Sequence, residues 1–114
     1  MTNVSQIAQQ AKQASVALAL FGQTAKNQAL LTIADSLESR AAEILQANKK
    51  DIEFAKSQGI SAAIIDRLLL SESRLKAIAD DVRNVASLPD PVGQVIDGGV
   101  LASGLKIERQ RVPL

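Results

Sequence analysis

Few residues of this chain have a type and spacing that could do chemistry. Asp66 and the adjacent pair Asp80-Asp81 are the carboxylates that could suggest a metal or acid/base site. Asp80 and Asp81, however, are consecutive on a helical pattern and so point to different sides. Ser71 and Ser73 could act as nucleophiles only beside an activating base, and no His or convincingly placed Lys supplies one. Arg109 and Arg111 alternate in a way that would suit a phosphate, but two alternating cations also describe a solvated or subunit-facing strand. Gly98-Gly99 and Gly104 match neither the dinucleotide fingerprint nor the nucleotide P-loop. The chain has no Cys, so no thiolate chemistry and no disulfide framework, and no His, the commonest general base near neutral pH. No catalytic, cofactor-binding or metal-ligating residue is assigned.

The elements around these residues read mostly as helices. Ile7, Ala11, Ala14 and Leu18 step by three and four and form one helical face, with Asn3 as cap and Gly22 as stop. Leu30, Ile33, Leu37, Ala41, Ile44, Asn48 and Ile52 continue the same period. That length predicts two consecutive helices, broken near Ala47-Asn48 and stopped at Gly59, with Asn48 available as a cap. Ser61 and Ser71 each start a shorter helix, flanked by hydrophobic-staple spacings. The last helix presents Leu75, Ile78, Val82 and Val85 on one face and ends at Pro89 and Pro91. Val92 to Asp97 then reads as extended, Asp97-Gly98-Gly99 as a turn, and Leu105 to Val112 as a strand with period two. The predicted fold is mainly α with a C-terminal β-hairpin. A lone hairpin is marginal in water, so it calls for a partner or for more chain.

Composition narrows the classes further. The 114 residues, 46% apolar, suffice for one core, which must be aliphatic because Phe21 and Phe54 are the only aromatics. The net charge of +1 gives no electrostatic reason to expect nucleic acid or an anionic membrane. The one local excess, Lys106, Arg109 and Arg111 against Glu108, amounts to +2 over residues 100–114. No apolar stretch reaches the ~20 residues of a membrane span. The start, Met1 to Gln6, lacks the basic and apolar regions of a secretory signal, so the expected compartment is the cytoplasm.

One string is specific. Leu88-Pro89-Asp90-Pro91-Val92-Gly93-Gln94-Val95-Ile96-Asp97-Gly98-Gly99 resembles the γ-glutamyl phosphate reductases of the aldehyde dehydrogenase superfamily. Asp66-Arg67-Leu68, Arg74-Leu75, Ile78 to Arg83 and Leu105 to Leu114 continue the likeness, and Ala11 to Ala14 and Ala47-Asn48 with Asp51 agree more loosely. The resemblance implies the N-terminal part of an α/β aldehyde-dehydrogenase-like fold. Residues 1–89 would be the helical segment of the cofactor-binding domain, and residues 90–114 the hairpin of the oligomerisation region. The implied activity is NADPH-dependent reduction of γ-glutamyl phosphate to glutamate 5-semialdehyde in proline biosynthesis, through a cysteine thioester. The implied nucleophile and cofactor sheet fall outside this chain, which is therefore expected to be inactive alone and to join a homo-oligomer through its hairpin. A self-standing helical interaction module and a nucleic-acid-binding helical domain are the competing readings. Autonomous cooperative folding would mark the first, and salt-dependent DNA binding the second.

Overall fold

The computed structural model describes residues 3–114; Met1 and Thr2, where the sequence lacks a basic start, lie outside the described residues. Five helices and one hairpin follow in order: α1 (Val4–Leu18), α2 (Gln23–Ser39), α3 (Ala41–Ser57), α4 (Ala62–Leu68), α5 (Glu72–Ser87), β1 (Val95–Val100) and β2 (Lys106–Gln110). The chain divides into two compact units. One is Thr24–Leu88; the other comprises the residues up to Gln23 and Pro89–Leu114.

Helix α1 starts as its sequence dictates, with Asn3 Oδ1 accepting from the Ser5 amide at 3.0 Å. None of its residues is buried, and Ile7 and Leu18 both lie on its exposed surface. Gly22 does not serve as a left-handed stop. The helix ends at Leu18 and turns through Ala19 and Leu20, whose amides donate to Ser15 and Ala17 carbonyls.

In the Thr24–Leu88 unit, the long helical pattern breaks at Arg40, not at Ala47-Asn48. The Ser39 hydroxyl donates to the Ser36 carbonyl at 3.4 Å and competes with the backbone ladder there. Arg40 leaves helical geometry (φ −104°, ψ 19°), and its guanidinium forks onto Glu43 in the first turn of α3 at 2.8 and 3.0 Å. Helix α3 does stop at Gly59, whose φ of 69° favours glycine. There Ile60 donates to the Ala55 carbonyl and Gly59 to that of Lys56, the paired bonds of a Schellman ending. Ser61 precedes α4 without a side-chain cap bond, whereas the Ser71 hydroxyl accepts from the Arg74 amide at 3.2 Å and caps α5.

The core of this unit is small: Ala34, Ile52, Ala55, Leu75, Ala79 and Ala86. Four of these six are alanines, so the helices bury backbone-near surface rather than large side chains. The α5 face is accordingly rotated from the predicted one. Leu75, Ala79, Val82 and Ala86 face inward, while Ile78 is 42% and Val85 54% exposed. The α2 stripe shifts likewise, with Ala34 fully buried and Ile33 half exposed.

The hairpin pairs β1 and β2 antiparallel, with Val95 opposite Gln110, Asp97 opposite Arg109, Gly98 opposite Glu108, Gly99 opposite Ile107 and Val100 opposite Lys106. The register slips between Val95 and Asp97, so Ile96 sits in a bulge. Asp97-Gly98-Gly99 lies inside the strand and is not the turn. The reversal falls at Leu101–Leu105, where Gly104 takes φ 85° and donates to the Leu101 carbonyl at 2.8 Å. The predicted turn signal fails because neither Gly98 nor Gly99 adopts positive φ, while Gly104 does. Every strand residue is exposed, and this sheet has only these two strands.

Candidate functional site

The side chains singled out for chemistry are distributed among separate polar clusters. Asp66 Oδ1 accepts from Arg74 at 2.9 Å, and the same guanidinium reaches the backbone carbonyls of Asp66 and Leu69. Arg74 thus closes the C-terminal end of α4. Ser71 is occupied by capping, and its hydroxyl also lies 3.0 Å from that of Ser73. Asp81 is exposed on α5, turned away from Asp80. Among the described residues, no group of three or more His, Cys, Asp or Glu side chains is placed to hold a metal.

Asp80 belongs to the largest polar cluster. It accepts from Lys76 at 2.7 Å and from Arg83 at 3.2 Å. Arg83 also reaches Asp35 at 2.9 Å and Glu38 at 2.6 Å, and so links α5 to α2 across 48 and 45 positions of sequence. The hydrogen bond from Arg83 holds the Glu38 carboxyl below its ordinary range, and Lys76 with Arg83 does the same for Asp80. The Asp80 carboxylate in turn raises Lys76. Arg83 escaped the sequence reading because only Asp80, three residues away on the same helix, is a local signal.

Asn48 does not play the part of the predicted cap. Its amide donates to the Leu68 carbonyl and accepts from the Leu70 amide, both at 2.8 Å. It caps no new segment; it ties α3 to the α4–α5 connection. Its interruption of an apolar stripe was the visible signal. Ala42, Leu45 and Leu75, with Glu38, Glu72 and Lys76, line an open groove of about 480 Å³, and Asn48 itself lines a smaller one of about 190 Å³ with Ile52, Leu69 and Leu70.

The cations of the hairpin are paired as well. Arg109 meets Asp97 across the strands at 3.3 Å, Lys106 meets Glu108 at 2.7 Å, and Arg111 donates to Gln94 Oε1 at 3.3 Å. The hairpin extends past its formal strands, since Gly93 donates to the Arg111 carbonyl and Arg111 to that of Gln94. Among the described residues, no third strand joins this two-stranded sheet. The polar clusters of helices α2–α5 act as staples, whereas the hairpin is a two-stranded sheet whose edge strands carry backbone groups able to pair with another strand.

Among the described residues, five helices are followed by one antiparallel hairpin. Solved structures carry the same arrangement. A γ-glutamyl phosphate reductase from Thermotoga maritima superposes with TM-score 0.84 at 39% identity, over 88% of this chain and 24% of its own. The one from Saccharomyces cerevisiae gives 0.83 at 31% identity, over 95% and 28%. Among curated relatives, the γ-glutamyl phosphate reductase of Actinobacillus pleuropneumoniae serotype 7 is 80% identical over 108 residues, which are 95% of this chain and 26% of the relative. That of Pasteurella multocida is 60% identical over 113 residues. No family model matches the chain. The chain belongs to the γ-glutamyl phosphate reductase family, where it corresponds to an amino-terminal segment. It spans about a quarter of the length of the curated relatives it matches.

Proposed function

We propose that this chain is the amino-terminal segment of an NADPH-dependent reductase that converts γ-glutamyl phosphate to glutamate 5-semialdehyde in proline biosynthesis. The observation that carries this reading is the 80% identity running through helices and hairpin alike. In this reading residues 1–89 support the cofactor-binding domain and residues 90–114 join a neighbouring subunit, forming a homo-oligomer in the cytoplasm. Nothing in the chain's own chemistry replaces the missing nucleophile, since it has neither Cys nor His. The whole reaction therefore depends on the remainder of the enzyme.

Two measurements test this. A chimera in which this chain replaces the matching segment of the Actinobacillus relative should retain NADPH-dependent turnover within about tenfold, a loss of about 1.4 kcal/mol or less in the barrier. The purified 114-residue chain should give no NADPH consumption above the buffer blank. A folded but inactive chimera, or turnover by the isolated chain, would overturn the reading.

A further inference from the structure

No further inference is drawn: the strongest candidate, the open groove that Ala42, Leu45 and Leu75 line between the α2–α3 junction and α5, with Glu38 and Lys76 at its rim already committed to Arg83 and Asp80, is an apolar face with nothing in the structure to show what covers it.

Discussion

Gly98 and Gly99 are neighbours in one strand, yet a methyl group would meet backbone at the first and open space at the second. Gly98→Ala should therefore force the strands apart and reduce the hairpin population, seen as faster amide exchange at Ile107 and Arg109. Gly99→Ala should leave that exchange slow. Identical exchange in the two variants would contradict the register. Asn48 offers a second contrast. Both ends of its amide are used, so Asn48→Ala leaves the Leu68 carbonyl and Leu70 amide without these partners, at a cost of about 1–3 kcal/mol in a urea melt. A change within about 0.5 kcal/mol, usual for an ordinary surface position, would show that water replaces the clamp. At this scale the sequence disclosed local bonds, such as the Asn3 and Ser71 caps, because their partners lie two or three residues away. It hid the Asn48 clamp and the Arg83 bridge, whose partners are 20 to 48 positions distant and are fixed only by packing.

The helices illustrate how a correct period can carry a wrong phase. Hydrophobic steps of three and four were visible in α5, but the inward face was assigned to its large residues, Ile78 and Val85. The small residues Ala79 and Ala86 are the buried ones, and the large Ile78 and Val85 beside them are exposed. It follows that Leu75→Ala should destabilise the helical unit by about 2–5 kcal/mol, and Ile78→Ala by clearly less, about 1 kcal/mol. Ala79→Leu should cost about 1–3 kcal/mol by overpacking. Urea melts followed by circular dichroism would check the order; equal losses at Leu75 and Ile78 would restore the originally predicted face. The second strand is legible from the period-two alternation of Leu105 to Val112, and the first only as an extended segment at Val92 to Asp97, three residues short of where β1 ends. The hairpin's reversal was misplaced because three glycines offer themselves and only the backbone shows which takes positive φ. The Arg40 break was likewise invisible, since Ser39 and Arg40 are compatible with a continuing helix.

Across the whole molecule, 13 cations and 12 anions nearly cancel, so pH dependence arises from specific pairs rather than net charge. The pairs have a definite sign. Glu38, Glu43 and Asp80 titrate below their ordinary values of 4.5, 4.5 and 3.8, chiefly because Arg83, Arg40 and Lys76 respectively donate to the ionised carboxylates. Unfolding restores the ordinary values, so the unfolded chain binds more protons in this range. Their contribution is full above the ordinary carboxylate values and disappears as pH falls through the lower folded ones. Lys76 behaves oppositely. Its pKa is raised above 10.5 by Asp80, so its contribution is full below that value and lost as pH climbs past it. The urea midpoint of the helical unit should therefore be flat between about pH 6 and 9, decline below about pH 5 and decline again above about pH 10. Arg83→Gln removes the bonds to Glu38 and Asp80 from α5, and should lower the plateau while making the acid decline shallower. An acid limb identical in wild type and Arg83→Gln would show that the bridge between α2 and α5 adds nothing to folding in solution.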